Sequence, residues 1–235
     1  MKKIILLTTT LFNILFIVAQ SFNGTYKSGT DSLLFSNNHI SFRISGFGGL
    51  SSVQVGEGNY EIVDNYILVH TNEYSGEKSN FQEISGSKND TCVVKVVGMN
   101  NYPVQGILVE SKNKSGKTIT AGVTDNEGKV LFTNNEKCLK IGVSALGYNS
   151  LEFDYNAGSD FLVRLADNDV IELKTAVFRF NEIDDETISI ILLTDNFNND
   201  RKREKELEKL EKSARRDNRL DKRFKKEFDP FDDIY

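Results

Sequence analysis

The chain has 235 residues, 39% of them apolar and 27% charged, a balance that excludes a bundle of membrane-spanning helices and leaves room for one or two domains. Net charge is −5, yet residues 200–229 hold thirteen Lys/Arg against nine Asp/Glu. An acidic body with a basic C-terminal stretch argues against nucleic acid as the body's partner.

Residues 1–19 read as an export leader. Lys2 and Lys3 precede an apolar run from Ile4 to Val18, about fifteen residues long where a span needs roughly 20. Ile17 and Ala19 occupy the −3 and −1 positions of a cut before Gln20. An uncleaved anchor is the alternative. Once the leader is removed, no integral membrane span is expected. Cys92 and Cys138 are the only cysteines. In an exported protein they can form one disulfide, with two buried or unpaired thiols as the other possibility.

Residues 22–84 form a first unit, a small β-meander or half-barrel. Leu33 to Phe35 and Ile40 to Ile44 flank Asn37-Asn38, the signature of a hairpin turn. A short repeat runs through it: Gly24-Thr25-Tyr26 returns as Gly58-Asn59-Tyr60, and Leu33-Leu34-Phe35 as Ile67-Leu68-Val69 at the same offset. This pattern resembles lipocalin-like and similar small β-domains. That resemblance implies a possible apolar small ligand, with Phe22, Phe35, Phe42, Phe47 and Tyr60 lining a cavity or filling a core. A polar stretch from Thr71 to Asp90, broken only by Phe81 and Ile84, marks the boundary to the next unit.

Residues 91–169 carry four β-rich runs with Pro103, Gly106, the Thr124-Asp125-x-x-Gly128 turn and Gly147-Tyr148 in order. Pro103 suits the start of a strand because it donates no backbone hydrogen bond. Asp125 and Gly128 suit a four-residue turn. The order and spacing together resemble a carboxypeptidase regulatory-like domain, a small transthyretin-like β-sandwich. The resemblance implies an accessory, non-catalytic module of secreted and envelope proteins. It also suggests a role beside TonB-dependent receptors, some of which carry a similar module.

Residues 170–195 predict a hairpin, Thr175–Phe180 and Thr187–Leu193, that extends or covers the second unit. Residues 199–228 contain no proline or glycine and carry i,i+4 pairs such as Glu208–Lys212 and Glu211–Arg215, predicting a charged helix about 45 Å long. Pro230 stops it, leaving an acidic aromatic tail over 229–235. Phe224, Phe228, Phe231 and Tyr235 recur at spacings of 4, 3 and 4. They are candidates for a partner-binding segment or for docking on the chain's own β-domain.

Catalytic motifs dissolve on inspection. His70-x-x-Glu73 has the spacing of half a zinc site, but His39, the other histidine, lies upstream of it. Three Ser-x-x-Lys hits, at Ser75, Ser85 and Ser111, sit in polar loops without the companion elements. Gly142-Val143-Ser144-Ala145-Leu146 lacks the closing glycine of a nucleophile elbow, and Gly46-Phe47-Gly48-Gly49 lacks the Lys of a phosphate loop. Asn196, Asn198 and Asp200 alternate like a calcium loop, but Arg201 stands where glycine is needed. No cofactor, metal site or catalytic residue is expected. The fold expected is mainly β with a charged C-terminal helix. The function expected is binding or assembly with an envelope protein partner, in the periplasm or at the outer membrane.

Overall fold

The computed structural model describes residues 22–46, 52–86, 91–133, 136–198, 203–217 and 221–228. The leader, Phe47 to Gly49, Asp200, Pro230 and the tail residues Phe231 and Tyr235 lie outside these.

Five strands open the chain: β1 (Gly24–Ser28), β2 (Asp31–Ser36), β3 (His39–Ser45), β4 (Val53–Val63) and β5 (Tyr66–Thr71), each antiparallel to the next. The Asn37-Asn38 pair makes the expected turn, both residues at positive φ (47° and 66°), the conformation a two-residue hairpin demands and asparagine tolerates. The sequence repeat corresponds to two hairpins, β1–β2 and β4–β5. Its two tyrosines, Tyr26 and Tyr60, both point into the core.

Eight strands follow in a separate body: β6 (Asn80–Ser85), β7 (Thr91–Gly98), β8 (Leu108–Lys112), β9 (Thr118–Val123), β10 (Lys129–Thr133), β11 (Lys140–Ser144), β12 (Leu151–Asp154) and β13 (Ser159–Leu165). They form two four-stranded sheets, ordered β10-β7-β13-β6 and β12-β11-β8-β9. The inward residues of both, including Val94, Val96, Val109, Ile141, Val143, Phe161 and Val163, merge into one buried cluster. The stretch expected to be a polar boundary therefore contains strand β6. Its Phe81 ring stacks on Phe153 at 4.1 Å, which explains an aromatic residue in otherwise polar surroundings.

The chain then returns to the first body. β14 (Asp169–Val170) runs parallel to β4, β15 (Thr175–Asp184) pairs with β5, and β16 (Thr187–Thr194) pairs with β15. After helix α1 (Arg203–Arg216), β17 (Lys222–Lys226) fits between β16 and β1. With β4 also paired to β5, the ring β4-β3-β2-β1-β17-β16-β15-β5 closes as an eight-stranded barrel. Residues 80–165 are thus an insertion between two halves of one barrel.

Two expectations change here. The hairpin of residues 170–195 forms, but it belongs to the barrel and not to the second unit. Its strands are apolar on both sides: Ala176, Phe178, Ile188 and Ile190 face the interior, while Val177, Ile191 and Leu193 face the helix. The charged helix spans 14 residues instead of thirty, about 21 Å, and residues 222–226 are a strand. The local charge pattern favours helix there, but two unpaired strand edges and a buried slot for Phe224 outweigh it.

The barrel interior is filled by its own side chains. Phe22, Tyr26, Phe35, Tyr60 and Phe180 form a network of ring contacts with centroids 5.0–6.2 Å apart, and Phe42 meets Phe178 at 5.1 Å. Polar residues such as Thr25, Lys27, Arg43 and Glu61 are not among the buried ones, the inverse of a barrel that faces lipid. No helix among the described residues is long and apolar enough to cross a membrane.

Helix α1 lies on the barrel wall. Leu207 and Ala214 are buried, with Leu210 half-buried between them, against Tyr66, Leu68, Val177 and Ile191. Glu211 locks this contact. It accepts hydrogen bonds from the Tyr66 hydroxyl at 2.7 Å, Arg215 at 2.6 Å and Arg179 at 3.0 Å. Arg179 also grips Asp221, at 2.7 Å, so the helix and the start of β17 share one guanidinium. The Tyr66 hydroxyl, then Arg215 and Arg179, hold the Glu211 carboxyl down at about 2 from an ordinary 4.5, against the opposing effect of burial. A depressed carboxylate stabilises the fold fully above its unfolded value and loses that contribution as pH falls through its folded one. Glu211 should therefore contribute about 3 kcal/mol that disappears between pH 4.5 and pH 2. Chemical unfolding at stepped pH should show Glu211→Gln with a shallower loss than the parent across that window.

Candidate functional site

A double-stranded neck joins the two bodies. Thr71 N–H and hydroxyl both donate to Lys174 O, at 2.8 and 2.9 Å. Glu172 accepts from Tyr74 N–H at 3.1 Å and pairs with Lys78 at 3.0 Å. Asn168 donates to Glu77 O at 3.0 Å, and Ser79 Oγ bridges Ala166 N–H and Asn149 O. Ile171 then inserts into the barrel core, its N–H bonded to Val55 O. Gly56 is required beneath it, since a Cβ there would lie 2.7 Å from Ile171 O.

At the neck end of the inserted body, the loop after β7, the loop after β11 and the end of β13 converge on an open groove of about 500 Å³. Its lining includes Met99, Tyr102, Pro103, Val104, Tyr148 and Asp167. Residues 98–102 make a tight turn in which Gly98 N–H donates to Tyr102 O and Asn101 takes φ 65°. Tyr102 is left 72% exposed at the groove's mouth.

The motif residues of the sequence meet around this groove, mostly as its scaffold. Thr124 is buried. Its hydroxyl accepts from Ile107 N–H at 3.0 Å and donates to Val104 O at 2.7 Å, so one side chain satisfies two loop groups. Asp125 caps its turn by accepting from Glu127 N–H and Lys129 N–H. Gly128 must be glycine: φ is 73°, and a Cβ would lie 2.3 Å from Val96 O and 3.2 Å from Pro103 Cβ. Pro103 bridges to Val97, Gly106 turns at φ 85°, and Gly147 at φ 86° delivers Tyr148, half-buried, to the groove wall. Tyr102, Met99 and the Asn100-Asn101 turn were not singled out in the sequence. The Asn-Asn-Tyr-Pro run was the signal for an exposed aromatic on a tight turn.

Other candidates are placed elsewhere. Cys92 and Cys138 are both buried free thiols in the insertion's core, with no bridge between them. Burial, followed by Asp160 and Cys138, pushes the Cys92 thiol up to about 12, so it is unreactive at neutral pH. Phe224 is fully buried in the barrel and is therefore not available as a partner contact, whereas Phe228 is 83% exposed. The His70 ring bonds Thr175 Oγ1 and Glu61 Oε1, each at 3.2 Å, while Glu73 is exposed. Among the described residues no group of three or more His, Cys, Asp or Glu is arranged to hold a metal.

No family model matches the sequence, and no curated protein matches it. One solved structure aligns: native alpha-2-macroglobulin from Escherichia coli, spanning domains MG0-NIE-MG1, at 13% identity over 54% of this chain and 58% of that one, with a TM-score of 0.30. So slight a likeness carries no argument about fold or function.

Proposed function

We propose that this is an exported, non-catalytic cell-envelope protein that binds a partner protein through the neck-end groove of its inserted domain. The groove carries the reading: its wall mixes Met99, Val104, Tyr148 and the exposed Tyr102 with the polar side chains of Asn100, Gln105 and Asp167, a surface that suits recognition more than chemistry. The leader-like N-terminus supports export. The motif order over residues 91–169 supports a carboxypeptidase regulatory-like β-sandwich for the insertion, and its two sheets sharing one core agree with that class. The C-terminal helix and β17 are then parts of the barrel, and the contact role passes to the insertion's loops.

The neck makes the test simple, because Thr71 and Lys174 are already hydrogen-bonded neighbours. Replacing residues 80–165 with a short Gly/Ser connector should leave a folded barrel, checked by cooperative thermal unfolding. That barrel should lose the species crosslinked to the parent protein in the native envelope. Retention of the same crosslinked species by the folded barrel overturns the proposal.

A further inference from the structure

We infer that β9 is a self-pairing edge through which two copies of this chain join into one continuous sheet. β9 borders its sheet, hydrogen-bonded to β8 on one side with no strand on the other among the described residues. Its sequence, Thr-Ile-Thr-Ala-Gly-Val, has neither charge nor proline. Five of its six residues are exposed, Ile119 at 44% and Val123 at 61%. Edge strands normally carry lysine, proline or a covering element that blocks pairing with another chain. The opposite edge of the same sheet, β12, does carry charge, with Glu152 and Asp154 among its four residues.

The register follows from the backbone. Thr124 N–H donates to Ile107 O, and Thr124 O accepts from Gly106 N–H, so both of its groups turn toward β8. Alternation along the strand then directs the groups of Val123 and Ala121 to the open edge. Ile119 is left unmatched by β8 at the register shift opposite Lys112. An antiparallel two-fold axis can pass through a hydrogen-bonded pair, such as Ala121 with its own copy, or through a non-hydrogen-bonded one, such as Gly122 with its own copy. Centring on Ala121 sets Ile119 of each copy against Val123 of the other, and Thr120 against Gly122. The exposed Lys117 then faces the exposed Asp125, giving two opposite-charge pairs. Centring on Val123 instead opposes Lys117 to Lys129, and centring on Ile119 runs off the strand into the turn. Centring on Gly122 opposes Lys117 to Glu127 but sets Ile119 against Asp125, so the Ala121 register is the one that gives both Ile119 and Val123 an apolar partner and Lys117 an anion.

The occupant is thus a second copy of the chain, and the joined sheet runs β12-β11-β8-β9 through its two-fold mate. Sedimentation velocity of the purified protein should show a concentration-dependent dimer. Lys117→Glu, which places Glu against Asp125, should weaken it about tenfold. Ala121→Pro removes an outward N–H without touching the β8 ladder and should abolish dimerisation with the far-UV spectrum unchanged. Because Ala121 faces itself about 5.5 Å away, Ala121→Cys should trap a disulfide-linked dimer under oxidised glutathione. Thr120→Cys, offset from its own copy, should not. A protein that stays monomeric throughout overturns the inference. So does a dimer that survives Ala121→Pro and is not trapped through Ala121→Cys.

Discussion

Phe224→Ala is expected to destabilise the protein by about 3–5 kcal/mol, a large fraction of the stability of a typical domain. The ring is fully buried among the barrel's inward side chains. It sits on the strand that closes the ring, opposite Ile188 on β16 and one position from the Lys225–Lys27 pair on β1. Truncation leaves a cavity where the barrel has least freedom to collapse, because both neighbouring strands are tied to β17 by backbone hydrogen bonds. Phe228→Ala removes a ring that is 83% exposed and should change stability by less than about 0.5 kcal/mol. Urea unfolding of the two variants checks both values. Equal, small effects would mean that β17 is not integral to the barrel.

Breaking the Asp31–Lys222 pair is expected to cost a similar amount. Asp31 is 2% exposed and accepts from both Ser45 N–H and Ser45 Oγ through Oδ1, at 2.9 and 2.6 Å. Lys222 binds its other oxygen and the Ser45 carbonyl, so the C-terminal strand is stitched to the β1–β2 turn and to the end of β3. Lys222→Ala leaves a buried carboxylate without its cation, a change that costs about 3–5 kcal/mol. Asp31→Leu combined with Lys222→Met replaces the pair with apolar volume and should recover much of that loss, as buried pairs replaced together often do. Thermal unfolding of the single and double variants gives the comparison. A single variant as stable as the parent would show that the pair contributes nothing to closure.

These contacts explain how much of the molecule was legible in its sequence. Local signals translated directly. Asn37-Asn38 gave a hairpin turn, and the β-branched runs at 175–180 and 187–193 gave strands. The ordered motif from Pro103 to Tyr148 marked the loops that surround a groove. What could not be read was which strands share a sheet. β1 and β17 pair across some 200 residues (Tyr26 with Lys226), and nothing in Lys-Arg-Phe-Lys-Lys distinguishes a barrel strand from a helix turn until the slot for Phe224 exists. Two-sided burial had the same effect on residues 175–193. A continuous apolar run states that both faces are covered, but not that one cover is a helix and the other a barrel interior. The groove was partly legible for the opposite reason. Gly128 and Thr124 are constrained by close backbone approach, and such constraints leave a recognisable spacing, whereas Tyr102 at the mouth is constrained only by what it contacts.

A photo-crosslinking amino acid placed at position 102 and, separately, at position 228 tests the division of labour most directly. Both sites are exposed, at 72% and 83%, so neither substitution disturbs a core. In the native envelope, position 102 should yield a discrete partner adduct and position 228 none. An adduct formed only from position 228 would return the contact role to the C-terminal segment and contradict recognition through the inserted domain.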